Sequence, residues 1–188
     1  SGAGSAAGVA NSIATMSSGT ANSGYGQIQT VRTSRFIFAN PNLCRGLVRI
    51  DDTTELESTR RWGAFTTTAT TTPENGFFFS VDGAGSLSVN IVSAGSITTV
   101  SSGSFNGSVV SYIMDTNVHA YEIMYFMMGV WFYIDNALIH KFTPTTAVLS
   151  QSWSLPITVT AINSASGTES SNIELWASSI LRLGESYT

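Results

Sequence analysis

Cleaving a glycosidic bond takes two carboxylates across the scissile bond, one an acid and one a nucleophile or base. In this chain of 188 residues the candidates are Glu55, Glu57, Glu122, Asp135 and Glu174. None stands in a Glu-x-Asp-x-Glu or Glu-x-Asp-x-x-Glu string, the spacing that would set such a pair on one strand. Glu55 and Glu57 would share a face, but DDTTELESTRR around them reads as a solvated, charge-rich loop. Glu122 is isolated, and a lone carboxylate does no acid–base work. His119 and His140 are the two histidines, and no G-x-S-x-G string accompanies them. They read as strand-end residues, with rings on the surface or bonded to backbone. Cys44 lies beside Arg45, which could favour a thiolate, yet no histidine is near in sequence. A buried structural cysteine is expected there. Asp51-Asp52 falls short of the six to eight oxygens calcium wants, and no four-ligand zinc set has close spacing. Asp82-Gly83-Ala84-Gly85 opens no helix, so it is not a phosphate loop. No catalytic or metal residue is assigned, no cofactor is expected, and the chain is read as a non-enzyme.

Binding is better represented. Trp62, Trp131, Trp153 and Trp176 could stack on sugars or fill a core. Trp131 and Trp176 sit within strand patterns and are expected in the core or at an interface. Trp62 and Trp153 flank loops and are the candidate glycan-binding residues. Arg45 and Arg49, four apart, point to one face of a strand. Arg60, Arg61 and Arg182 would join them if the first and last strands pair. Near Asp51, Asp52, Glu55 and Glu57, these five arginines are the candidate interface residues, pairing with carboxylates at a rim or between subunits.

The elements that must position these residues are strands. Charged residues are 11% of the chain, against about 25% in an average domain. Ser and Thr together make 51 residues, and Lys141 is the single lysine. A net charge of −4 argues against nucleic acid, whose binders neutralise phosphates with Lys and Arg. No apolar run reaches the roughly 18 residues that span a bilayer, so membrane insertion is not expected. Residues 1–26 are small and uncharged and read as a flexible or partner-ordered N-terminal arm. Residues 27–188 read as one β-sandwich domain. Strands are expected at Gln27–Val31, Arg35–Ala39, Leu43–Ile50, Phe77–Val81, Leu87–Val92, Ile97–Val100, Leu155–Ala161 and Ile173–Leu183. Thr66–Thr72, TTTATTT, reads as an edge strand or extended loop, and Pro73-Glu74-Asn75-Gly76 as a hairpin turn. YEIMYFMMGVWFYIDNALIHKF, Tyr121 to Phe142, reads as three strands with turns at Met128-Gly129 and Asp135-Asn136. Both faces of these three are apolar, so cover on both sides is expected. The whole is an all-β, antiparallel sandwich of jelly-roll type with an extended arm.

Two segments carry a resemblance. Val130-Trp131-Phe132-Tyr133-Ile134-Asp135-Asn136 with Ala137-Leu138-Ile139-His140 resembles the central hairpins of concanavalin A-like and laminin-G-like sandwiches. The closing IELWASSILRLG resembles that family's last strand. Arg60-Arg61-Trp62-Gly63-Ala64-Phe65, followed by Asn75-Gly76-Phe77-Phe78-Phe79 and Leu87-Ser88-Val89, looks like β-sandwich structural proteins of tailed-phage virions. The resemblance covers about residues 35–184. It implies a non-enzymatic virion component, a capsid decoration or fibre module that forms a homotrimer and anchors to other virion proteins by its arm. The alternative it implies is a lectin-like receptor-binding domain for a host surface glycan.

Overall fold

The computed structural model describes residues 5–37, 40–51, 53, 57–69, 72–143, 153–167 and 170–182. Short β-rich segments and tight turns dictate the architecture. Fifteen strands form among these residues: β1 (Ala6–Ala10), β2 (Ile13–Ser17), β3 (Tyr25–Gln29), β4 (Ser34–Phe36), β5 (Asn42–Ile50), β6 (Ser58–Thr67), β7 (Pro73–Val81), β8 (Leu87–Ser93), β9 (Ser96–Ser101), β10 (His119–Phe126), β11 (Gly129–Ile134), β12 (Ala137–Phe142), β13 (Trp153–Leu155), β14 (Ile157–Asn163) and β15 (Asn172–Arg182). A seven-stranded sheet runs β1-β2-β15-β5-β10-β11-β12, and a six-stranded sheet runs β3-β14-β6-β7-β8-β9. The two-stranded ribbon β4-β13 adds Phe36 and Trp153 to the core. All pairings between strands are antiparallel, so the molecule is an antiparallel β-sandwich.

Alternation decides what lies between the sheets. Tyr121, Ile123 and Tyr125 on β10 face inward with Val130, Phe132 and Ile134 on β11. From the other sheet come Trp62, Ala64, Phe77, Phe79, Val81 and Val89. The aromatic rings interlock across the gap. Trp62 meets Tyr121 edge to face with centroids 4.9 Å apart, and Phe79 meets Phe132 at 5.2 Å. Phe77 stacks on Tyr125 at 5.0 Å and meets Trp153 at 5.3 Å. Such pairs add roughly 0.5–1.5 kcal/mol each beyond the area they bury.

Turn chemistry sets the registers where expected at Asp135-Asn136 and Ala94-Gly95, whose backbones are left-handed as tight hairpins demand. Three local expectations change. The turn after β10 lies at Met127-Met128, and Gly129 begins the next strand. Asn75-Gly76 is not a turn but part of β7, opposite Thr66 and Phe65. Gly76 is required there by its φ of +127°, and a Cβ would sit 2.2 Å from the Ala64 carbonyl oxygen. The outer face of β10–β12 is also not sealed: Phe126, Trp131 and Tyr133 remain partly exposed.

For residues 5–26 the structure differs from the reading of a flexible or partner-ordered arm. β1 and β2 form a hairpin turned at Asn11-Ser12, and β2 extends the seven-stranded sheet by pairing with β15. Met16 is fully buried in the core, and Ser18 exchanges hydrogen bonds with Ser171. β3 then joins the other sheet through β14. Composition hid this because small side chains bury little area each, while their backbone groups still find a ladder.

Candidate functional site

The outer face of the six-stranded sheet carries mostly hydroxyl and amide groups, with Arg61 among them. Register places Gln27, Thr160, Arg61, Ser80, Ser88 and Ser101 in one row across it. The next row is Gln29, Thr158, Gly63, Phe78, Asn90 and Thr99. Asn90 knits the second row to the first, donating to Ser80 Oγ at 2.9 Å and accepting from Thr99 Oγ1 at 2.7 Å. Phe65, Phe78 and Val92 form a small separate apolar cluster on this face.

The end of β6 turns back over that face. Gln27 is in register with Arg61, six residues before Thr67. A straight strand would carry Thr67 about 20 Å further on. Yet Gln27 Nε2 donates to Thr67 Oγ1 at 3.2 Å. The hairpin end, closed by Thr68 N–H donating to the Thr72 carbonyl at 2.8 Å, therefore lies against β3. Between them is an open cleft of about 430 Å³ lined by Tyr25, Gln27, Gln29, Thr67, Thr68 and Ala69. A second groove of about 190 Å³ lies on the other side of Tyr25, lined by Ser5, Ala6, Ala7, Tyr25, Gly26 and Gln27. Gly26 allows this juxtaposition, since a Cβ would sit 2.4 Å from the Ser17 carbonyl oxygen and 2.9 Å from that of Ala6. Tyr25 and Gln27 thus line both spaces, with hydroxyl and amide residues beside them.

The two candidate glycan tryptophans are not at the surface. Trp62 and Trp153, the candidate glycan residues, are 3% and 7% exposed and belong to the core. Neither presents a ring face to a ligand at the surface. Trp131 and Trp176 lie outside instead. Lys141 Nζ stands 4.5 Å over the Trp131 ring, and Trp176 is 43% exposed with Nε1 donating to Glu174 Oε2.

The five arginines are not brought together. Arg45 and Arg49 share the outer face of the seven-stranded sheet, as their spacing requires. Arg45 pairs with Glu122 at 3.0 Å and Arg49 with Glu174 at 2.6 Å. β5 does pair with β15, but Arg60 and Arg61 lie on β6 in the other sheet. Arg60 is fully buried, and burial lowers the pKa of Arg61. Arg182 donates to the Arg35 carbonyl at 3.4 Å.

The carboxylates are occupied. Burial pushes the Glu174 carboxyl up, but Arg49 and Trp176 outweigh it and hold it below the usual range. Glu122 and Glu174 flank β5 on opposite sides, about 13 Å apart along it by the strand rise, beyond the reach of a paired glycosidase mechanism. Glu57 accepts from Ser166, while Glu55 and Asp52 lie outside the described residues. Asp51 accepts from Asn172, and Asp82 caps its own loop by accepting from Ala84 and Ser86. The Cys44 thiol is buried and pushed up to about 12, which keeps it protonated and inert. His140 is buried, accepts from the Asn106 backbone at Nδ1, and burial lowers its pKa. His119 sits between Asp135 at 2.6 Å and Asp115 at 2.9 Å. Among the described residues, no group of three His, Cys, Asp or Glu could hold a metal ion.

Sequence reasoning missed Tyr25, Gln29, Thr67 and Thr68. The alternation of β3 could have put Tyr25, Gln27 and Gln29 on one face, but their partner surface comes from a bend with no local signature.

Comparison with known protein families finds no match, and no curated protein matches in sequence. Solved structures do match in fold. The Emp47p carbohydrate recognition domain superposes with a TM-score of 0.64 at 12% identity, covering 95% of this chain and 86% of that one. The alginate lyase AlgAT5, of polysaccharide lyase family 7, gives 0.56 at 8% identity, covering 94% and 82%. The binding domain of botulinum neurotoxin serotype D/C gives 0.56 at 12% identity, covering 90% and 40%. At these identities the likeness is one of fold.

Proposed function

We propose that this chain is a carbohydrate-binding, lectin-like β-sandwich, and that the glycan lies along β3 against Tyr25. The observation that carries the reading is that the half-buried Tyr25 lines two open grooves, together with Gln27 and, in the larger one, Gln29, Thr67 and Thr68. A sugar has an apolar C–H face and a hydroxylated rim. The aromatic ring matches the first, and side chains that both donate and accept match the second. The fold is one that carbohydrate recognition domains share, and among the described residues Glu122 and Glu174 stand too far apart for a paired hydrolase mechanism. The test is a glycan panel read by melting temperature, since a ligand of the native state raises it by mass action. Binding that is lost in Tyr25→Ala and kept in Tyr25→Phe is expected. A panel with no binder would sink the reading.

A second reading, a building block of a virion, has one specific support beside the sequence resemblance. Leu181, Leu43, Met124 and Trp131 fall in register as one row on the outer face of the seven-stranded sheet, next to the row of Arg45 and Glu122. Leu181 is half exposed, and Met127 and Met128 project at the adjoining turn. Apolar surface of this kind suits a subunit contact. In that case light scattering gives an oligomer, a trimer on the resemblance, which Leu43→Asp dissociates. A wild-type monomer at high concentration removes this reading.

A further inference from the structure

We infer that the ligand of the Tyr25 cleft is a neutral oligosaccharide, not a uronate, sialylated or sulfated one; this rests on the carbohydrate-binding reading above. None of the side chains lining either groove is charged at neutral pH. The groups that face the ligand are amides, hydroxyls, one phenol and backbone. Seating a carboxylate there would strip its water without supplying a countercharge, which is costly unless cations or several N–H donors replace that water.

Several of the chain's cations are held elsewhere. Arg45 and Arg49 are ion-paired on the opposite sheet, and Lys141 covers Trp131. Among the described residues near β3, Arg32 is exposed three residues past Gln29 but lines neither groove, and Arg61 is in register with Gln27 through Thr160. Arg61 stands two strands away, about 10 Å by the strand spacing, is desolvated, and lines neither groove. The net charge of −4 adds weak repulsion toward any anion. Because Tyr25 is shared by both grooves, the ligand passes over one ring from the Ser5–Ala7 side to the Thr67–Ala69 side. That suits a chain of sugars rather than a single terminal one.

Equilibrium titration of the full chain tests this. The neutral probes are hexamers of glucose, mannose and N-acetylglucosamine; the acidic probes are oligomannuronate and a sialylated oligosaccharide. A neutral probe is expected to bind with little dependence on salt, and the acidic ones at least roughly tenfold more weakly. Gln27→Ala and Tyr25→Ala should each weaken binding several-fold. Gln27→Ala is the check if the tyrosine variant does not fold. Thr68→Lys should raise the affinity for the acidic probes. Salt-sensitive binding of an acidic probe above all neutral ones would overturn the neutral class while leaving a carbohydrate-binding protein. Neutral binding untouched by either variant would overturn the site. No binding by either set would overturn the carbohydrate reading, and this inference with it.

Discussion

His119 shows at the residue scale how neighbours decide what a side chain does. Its ring bridges two carboxylates, Asp135 on the β11–β12 turn and Asp115 in the segment before β10. Burial lowers its pKa, but the hydrogen bonds and charges of Asp135 and Asp115 prevail and raise it. The folded state therefore holds the proton more tightly than the unfolded one. The stabilisation is fully present below the ordinary imidazole value of about 6.5 and is lost as pH rises through the raised folded value. Asp115 shifts the other way, held below the usual range first by the Asn117 backbone N–H and then by His119 and the Asn117 side chain. Its contribution is present above about pH 4 and lost as pH falls. The clamp thus works best near pH 5–6. Melting temperatures of wild type and His119→Gln should differ most there and converge by about pH 9. A pH-independent difference would mean that the proton is not what holds the clamp. The same scale explains the tryptophans. Trp62 lies in the middle of β6 and Trp153 opens β13, and both point between the sheets, so apparent nearness to a loop did not predict exposure of either.

At the scale of the element, the β6–β7 hairpin makes the site. Asn75-Gly76 has the strongest hairpin-turn signature in the chain, yet the pairing runs on past it to Thr67 and Pro73, with Thr68 N–H donating to the Thr72 carbonyl beyond. Two facts decide it. Pro73 pairs with Thr67, lengthening both strands, and Gly76 supplies the left-handed residue opposite Phe65. The glycine is used for close strand approach rather than for a turn. Gly76→Ala should cost about 1–3 kcal/mol in backbone strain alone. It should lower the melting temperature and weaken the proposed glycan binding together, because the bent end carries Thr67 and Thr68. A stable variant with a lowered affinity would still assign the bend to the site; a variant matching wild type in both would remove Gly76 from the account.

For the whole molecule, the N-terminal hairpin turns from accessory to component. Met16 fills the core beside Ile173, and β2 covers the edge of β15. Removing residues 1–17 leaves a cavity in place of Met16, worth about 2–5 kcal/mol by the usual cost of a deleted core side chain, and uncovers that edge. The truncated chain should melt several degrees lower and lose the groove beside Tyr25. An unchanged melting curve would show that the sandwich closes without it.

The sequence by itself determined the class of the molecule. Scarce charge, abundant Thr, Ser and aromatic residues, and alternation with turn pairs left an antiparallel sandwich as the arrangement that buries those faces. Strand alternation also set Arg45 and Arg49 on one face, because period two is a local property. What lies across a sheet or between sheets was decided only by the tertiary structure. Arg60 and Arg61 went to a different sheet from Arg45, residues 5–17 found a ladder far along the chain, and Gln27 met Thr67 through a backward bend. These are long-range pairings. Their free energy comes from contacts between segments tens of residues apart, and no local pattern of small, uncharged residues records which partner each will find.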